Sequence, residues 1–336
     1  MEYKRNNTYS KAKKKHKALK VILRDILLFG IALNVFALFH HVLPRKLQPV
    51  DASRYSSPAP TPIVSDQLPA SVDSSLASPS PLPSATPVPG DFTATFPATD
   101  TGANALYSYQ TNTVRIAINR VQENSVTYFV ADVYVKSIDA LKTAFAKGKY
   151  GKNIYDFPLT TSNENQAVFA VTGDYYSARS QGIVVRNGTL YRDVPNTDVC
   201  VLYNDGEMRT YDSANFNLAE AVSRGIWQSW SFGPPLLDEN GGKLSEFNST
   251  LTDRHPRSSI GYYAPGHYCF VIVDGRQKNY SIGMNLTELS ALFESLGCKQ
   301  AYNFDGGATA VMIFQGNVIN QPYKGGRESG DIIYFN

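Results

Sequence analysis

From about Thr113 onward the chain alternates short apolar runs with polar breaks, at spacings that favour strands over helices. "VRIAINRV" and "VTYFVADVYV", separated by Gln122, Glu123 and Asn124, predict a hairpin. "AVFAV" at 167–171 has the continuous apolar character of a buried strand. "GIVVRNGTLYRD" and "CVLYNDGEMRTY" each read as two strands, turning at Asn187 with Gly188 and at Asp205 with Gly206. "SSIGYY" and "HYCFVIVDG" form another pair around Pro265 and Gly266, and "QAYNF" and "DIIYF" are the last two strands. Helical spacing occurs in "SIDALKTAFAKG" from Ser137 to Gly148, in "NLAEAVSRG" ending at Gly225, and most clearly in "NLTELSALFESLG". There Asn285 caps, Leu286, Leu289, Leu292, Phe293 and Leu296 line one face, and Gly297 terminates. Many strands with few helices predict an α+β domain over residues 110–336, with a mixed β-sheet core and a few packed helices.

The first third has a different pattern. Residues 25–43, "DILLFGIALNVFALFHHVL", form one apolar stretch of the length a membrane-spanning helix needs, behind a basic tail at residues 1–24. The positive-inside rule puts that tail in the cytoplasm and the remainder outside the cell. A cleaved signal peptide is the alternative, but no small-x-small cleavage pattern follows the stretch. Residues 44–105 are rich in Pro, Ser, Thr and Ala, cannot bury a core, and read as a tether. This layout predicts a single-pass signal anchor at residues 25–43 with an extracellular domain, of the kind a bacterium with a thick wall uses.

Charge sharpens the division. Residues 1–46 hold eleven Lys and Arg against Glu2 and Asp25, which leaves 21 basic and 27 acidic residues beyond. The basic pI belongs to the tail, and a nucleic-acid partner for the mildly acidic remainder is not expected. Cys200, Cys269 and Cys298 are too few and too dispersed for a disulfide framework, and the latter two read as small buried hydrophobes. No CxxC or HExxH occurs, the five histidines do not cluster, and no metal site or cofactor is predicted. A hard cation such as Ca²⁺ at Asp305 is conceivable, but no dense acidic loop is present to hold it.

Several predicted strands end in polar residues suited to chemistry. "AYNFDGGATAVMIF" places Asn303 and Asp305 at alternate positions, on one face, ahead of Gly306 and Gly307. On pattern alone Asp305 with Gly306 is a turn. The glycines equally permit close approach of a ligand to the backbone, and Thr309 follows. Asp274, Gly275 and Arg276 end the "FVIV" run with the same two readings. Asp174 with Tyr175 follows "AVFAV", where tyrosine serves either core packing or the face of a sugar ring. Arg257 precedes a strand, and Arg327 lies in the Gly-rich loop "YKGGRESGD". Carboxylates that accept from hydroxyls, with guanidinium forks that match phosphate oxygens, fit a ligand bearing both groups.

The order "TGDYY", "GIVVRNG", "SFGPPLL", "RSSIGYY", "VDGR", "GMNLTELSALFESLG", "NFDGGATAVM" and "NQPYKGGRESGDIIYF" resembles the phosphodiester glycosidase family over residues 165–336. The resemblance departs where the family usually has Asn-Gly-Gly before the aromatic pair and this chain has Thr172, Gly173 and Asp174. It implies hydrolysis of a sugar-1-phosphodiester in a cell-wall glycan or exopolysaccharide. It further implies catalytic roles for Asp305, Asp174 and Arg257. Arg276, Asp274, Asn303, Gly306, Gly307, Thr309, Tyr175 and Arg327 would contact the substrate. A non-catalytic wall-polysaccharide-binding protein of the same fold, or a glycosyl or phosphoglycosyl transferase, are the other readings.

Overall fold

Hairpin turns fix most of this chain locally, and three antiparallel sheets then decide which strand ends meet. The computed structural model describes Arg24 and residues 90–99 and 104–336. The expected anchor at residues 25–43 lies outside the described residues, as do the basic tail apart from Arg24 and the tether apart from 90–99 and 104–105. Among the described residues no helix is long and apolar enough to cross a membrane.

The first sheet has the order β1 (Tyr107–Gln110), β2 (Val114–Glu123), β3 (Val126–Val135), β12 (His267–Val273), β11 (Arg257–Ala264) and β13 (Gln300–Asn303). The second runs β7 (Thr189–Val194), β6 (Gly182–Arg186), β10 (Ile226–Trp230), β8 (Val199–Tyr203) and β9 (Met208–Tyr211). The third runs β15 (Asn317–Val318), β14 (Met312–Phe314), β5 (Phe169–Thr172), β16 (Asp331–Phe335) and β4 (Lys142–Phe145). The helices are α1 (Pro158–Glu164), α2 (Leu218–Arg224) and α3 (Leu286–Ser295). The α+β class holds. Every pairing among these strands is antiparallel, which corrects the expected mixed sheet. Six of the thirteen neighbouring pairs are sequential hairpins, which are antiparallel by construction, and the long-range pairs follow the same sense.

The local signals explain most elements. Asn124 and Ser125 both take positive φ, 48° and 61°, as the tight turn between β2 and β3 requires. Gln122 and Glu123, expected in that turn, pair within the strands instead. Helix α3 has a full capping box, with Asn285 accepting from the Glu288 N–H at 2.8 Å and Glu288 accepting from the Asn285 N–H at 3.1 Å. Its buried Leu286, Leu289 and Phe293 pack on Cys269, Val271, Val273 and Ala301 of the first sheet.

Two expectations fail for tertiary reasons. The helical pattern after Ser137 gives a short 3₁₀ turn at Ile138–Ala140 and then strand β4, because β16 offers an open edge to Lys142–Phe145. Strand β10 has no clear apolar pattern, since Gln228 and Ser229 at its centre are fully buried polar residues. Gln228 Oε1 accepts from the Asn187 N–H and the Thr143 hydroxyl, both at 3.0 Å, so its burial costs little. Residues 90–99 also pack, with Phe92 buried in the core and its N–H donating to the Lys136 carbonyl at 2.7 Å. One core draws on all three sheets, including Phe169, Trp230, Phe270, Tyr302, Phe304 and Phe335. Each such side chain stabilises the fold by roughly 1.5–3 kcal/mol.

Candidate active site

The strands bearing the predicted residues end together because antiparallel pairing sets the start of β11 beside the ends of β12 and β13. Arg257 lies opposite Val273, and Ser259 opposite Asn303. The third sheet joins the same point. The Ser258 hydroxyl donates to the Thr172 carbonyl at 2.9 Å, and the Asp305 N–H to the Gly173 carbonyl at 3.2 Å. Asp305 therefore sits where β13 and β5 end and β11 begins.

The loop after β13 is glycine for a steric reason. A Cβ on Gly306 would stand 2.5 Å from the Pro256 carbonyl oxygen, and Gly307 has φ +67° with its N–H donating to that same carbonyl at 2.9 Å. The Thr309 hydroxyl closes the turn on the Gly306 carbonyl at 2.6 Å. Asp305 is thereby held almost wholly buried, at 6% exposure. Burial raises its carboxyl from the usual 3.8 to about 6, against the opposing pull of Arg327, whose Nη2 lies 3.3 Å from Oδ2.

Two further arginines lie against the 306–307 turn. Arg257 is buried, and donates to the Met284, Leu251 and Asp253 carbonyls at 3.0, 2.8 and 2.6 Å. It forms no ion pair among the described residues, and burial together with Arg276 lowers it to about 10. Arg276, exposed and at φ +60°, lies over Gly307 and beside His255 Nδ1 at 3.3 Å. Burial, then Arg257 and Arg276, push the His255 imidazole down, which keeps it neutral. His255 was not among the predicted residues. Its signal is faint, a histidine two positions ahead of Arg257 in "RHPR".

Asp174 belongs to a second, internal network. Its N–H donates to Asp331 Oδ1 at 2.8 Å, its Oδ2 accepts from the Ser231 N–H at 2.9 Å, and its Oδ1 from the Tyr175 N–H at 2.7 Å. Arg186, only 2% exposed, bridges Asp331 at 2.7 Å and Asp174 at 3.5 Å. Gly173 is necessary here, since a Cβ would meet Asp331 Oδ1 at 2.8 Å. Pattern reasoning did not select Arg186 or Asp331, which end β6 and open β16 and read there as strand residues.

The other predicted residues are placed as follows. Asn303 donates to the Gly233 carbonyl at 2.9 Å, and its buried Oδ1 has no partner. Tyr175 is half-buried, edge-on to Phe232 with centroids 6.2 Å apart, and Arg179 lies 5.7 Å and 5.1 Å from the two rings. Asp274 is not brought to Asp305. Its carboxylate accepts from the Asn320 side chain at 2.8 Å, the Tyr280 hydroxyl at 2.9 Å and the Gln321 N–H at 3.0 Å, and so anchors the 320–321 segment.

A cleft of about 780 Å³ adjoins this cluster. Asp305 is not in its wall, and the connection runs through Gly233, whose carbonyl holds Asn303, and Leu251, whose carbonyl holds Arg257. Arg179, whose charge acts on Asp305, also lines it. Among the described residues no group of three or more His, Cys, Asp or Glu side chains is arranged to hold a metal. The site thus combines a desolvated carboxyl of raised basicity with cationic groups that lack a carboxylate partner.

The family model described as phosphodiester glycosidase matches residues 165–336, just over half of the chain. A SPbeta prophage-derived uncharacterized protein of Bacillus subtilis (strain 168), YomE, is 25% identical over 218 residues, 58% of this chain and 34% of that protein. The chain therefore spans about a third of that relative's length. Among solved structures, the catalytic domain of zebrafish N-acetylglucosamine-1-phosphodiester alpha-N-acetylglucosaminidase, auto-inhibited by its pro-peptide, superposes with a TM-score of 0.54 at 16% identity. That similarity covers 71% of this chain and 86% of the zebrafish domain. A hypothetical protein from Synechocystis superposes with a TM-score of 0.51 at 14% identity, over 69% of this chain and 64% of that one. At these identities the two structures establish the likeness of fold.

Proposed function

We propose, from the premise that the chain belongs to the phosphodiester glycosidase family, that it hydrolyses a sugar-1-phosphodiester in a glycan outside the cell. The observation that carries this reading is Asp305, buried with a carboxyl at about 6 and paired with Arg327, followed by a Gly306–Gly307 turn that lies against Arg257 and Arg276. Those last two guanidiniums form no ion pair among the described residues, so their charge is available to an anion.

In this reaction the bond between the anomeric carbon and the phosphoester oxygen breaks. Water adds to the anomeric carbon, and the phosphate departs as a monoester that keeps the bonding electron pair. Phosphate is a good leaving group, so little general acid help is needed. Arg257, Arg276 and Arg327 stabilise the charge that develops on the departing oxygens. Asp305, ionised above pH about 6, orients the water or faces the oxocarbenium-like centre. Tyr175 and Asn303 hold the sugar, Asp174 positions Tyr175 by accepting its N–H, and the unpartnered Asn303 Oδ1 is an acceptor for one of the sugar hydroxyls. His255, kept neutral, offers the phosphate a neutral hydrogen-bond donor.

The name of the zebrafish enzyme describes a substrate of this chemical class. The apolar stretch at residues 25–43, with nine Lys and Arg before it, supports a cytoplasmic N-terminus and an external domain, where a wall glycan or exopolysaccharide is within reach.

The test is release of reducing sugar from a panel of synthetic sugar-1-phosphodiesters by the wild type, Asp305→Asn and Arg257→Ala. Release by the wild type that both substitutions abolish is the expected result. Binding of the diesters by the wild type without any turnover would sink the hydrolase reading.

A further inference from the structure

Between Leu244 and His255 the chain forms neither helix nor strand, and Asn248 and residues 250–254 are exposed. Both ends are tied down, by the Leu244 N–H on the Ser290 hydroxyl at 2.9 Å and by the His255 N–H on the Met284 carbonyl at 3.1 Å. Residues 247–251 of this strap form a wall of the cleft of about 780 Å³, whose lining also includes residues 178–181 and 196–198.

What holds the strap is sparse and specific. Its Thr252 carbonyl accepts from the Leu286 N–H at 3.3 Å, at the start of α3. Its Leu251 and Asp253 carbonyls both accept from Arg257 Nη2, at 2.8 and 2.6 Å. Its Asn248 side chain donates to Asp198 Oδ1 at 3.1 Å. No other hydrogen bond joins residues 247–253 to the remainder of the described protein.

The two partners on the body are fixed. Asp198 is 5% exposed, its Oδ1 also accepts from the Ser213 N–H at 3.3 Å, and its carbonyl from the Tyr302 hydroxyl at 2.8 Å. Arg257 is 3% exposed and gives Nε to the Met284 carbonyl and Nη2 to the strap, while Nη1 makes no hydrogen bond among the described residues. A guanidinium is a rigid planar fork, so fixing one edge aims the other. The strap therefore sets the direction in which Nη1 is offered. An exposed segment with so few ties has low local stability, and losing one of them loosens it measurably.

We propose that Asp198 and Asn248 latch the 247–253 strap, whose carbonyls then position Arg257 with Nη1 free for a phosphate ester, so that strap closure and anion binding favour one another. Asp198 and Asn248 act through the strap and are positioning residues. The proposal rests on the reading above for the phosphodiester at Arg257, and on the strap geometry for the coupling. Because coupling is reciprocal, an anion on Arg257 must also quieten the strap.

The test uses the full chain with dimethyl phosphate as the probe, and compares wild type, Asn248→Asp, and the double substitution Asn248→Asp with Asp198→Asn. Asn248→Asp sets two carboxylates against each other. It is expected to speed hydrogen exchange of the 247–253 amides and to weaken dimethyl phosphate binding, measured by calorimetry, each about fivefold. The double substitution exchanges donor and acceptor, reforms the hydrogen bond, and is expected to recover both. In the wild type dimethyl phosphate is expected to slow strap exchange. Arg257→Met removes the donors to both strap carbonyls and is expected to free the strap with the latch intact; unaltered exchange there takes Arg257 out of the coupling. Faster exchange in Asn248→Asp with unchanged affinity, or an affinity loss that the double substitution does not recover, overturns the proposal. Hydrolysis of a methyl sugar-1-phosphodiester with the same kcat/KM in wild type and Asn248→Asp overturns it while the hydrolase reading stands. Absence of both binding and turnover in the wild type overturns the two together.

Discussion

Replacing Asp305 with Asn is expected to make the protein more stable at neutral pH while abolishing hydrolysis. The carboxyl rises from 3.8 to about 6 because folding removes it from water, and the Arg327 ion pair offsets only part of that cost. At about 1.4 kcal/mol per pH unit, the rise corresponds to about 3 kcal/mol by which the ionised carboxylate opposes folding. Because the folded value is the higher one, the stability that the protonated form confers is fully present below pH about 4 and lost as pH rises through about 6. Asparagine keeps the shape and never ionises. The stability difference between variant and wild type should therefore be smallest at pH 4, grow through pH 5 and 6, and level off near 3 kcal/mol above pH 7. The Arg327 pair, half exposed and weak, is already contained in that net value. Urea unfolding of both proteins at each pH from 4 to 8 measures the curve. A difference that does not change with pH, or one that favours the wild type increasingly as pH rises, would refute the argument.

Four further outcomes follow from the same geometry. The wild type's kcat/KM is expected to climb as pH rises through about 6, since the ionised Asp305 is the working form; a flat profile between pH 5 and 8 removes it from the reaction. Arg186→Met leaves Asp174 and Asp331 buried without their cation and is expected to cost about 3–5 kcal/mol in urea unfolding, a cost that unchanged stability would contradict. Gly306→Ala meets the Pro256 carbonyl at 2.5 Å although its φ of −111° suits alanine, so a melting temperature lowered by the equivalent of about 1–3 kcal/mol is expected, and an unaltered one disproves the steric argument. Mild oxidation is expected to join Cys269 to Cys298, whose Sγ atoms lie 3.6 Å apart, with Cys200 left reduced. Intact mass lower by two hydrogens, with the crosslink located by peptide mapping, checks this last outcome, and two free thiols after oxidation count against it.

Much of the fold is legible from local pattern. The hairpins at Asn187 and Asp205, the β2–β3 turn and the capped α3 appear where the residues call for them. The misreadings share a cause. Residues 142–145 have helical spacing but join β16, and β10 carries buried Gln228 and Ser229 because partners elsewhere satisfy them. Neither partner can be read from neighbouring residues. At the site, Asp305, Arg257, Arg276 and Arg327 converge because strands ending in polar residues end together. Asp274 has the same local pattern as Asp305, yet accepts three hydrogen bonds from the 280 and 320–321 segments.

By itself the sequence determines the strands, their turns, the capped helix and the residue types available at strand ends, since those depend on contacts within a few residues. Only the tertiary structure decides which carboxylate is desolvated, which is clamped, and which arginine lacks a carboxylate. Those outcomes depend on groups far apart in the chain, as with Asp174 and Asp331, 157 residues from one another. Burial and Coulombic proximity act through space, so the difference between a turn aspartate and a reactive one arises only when the three sheets close around it.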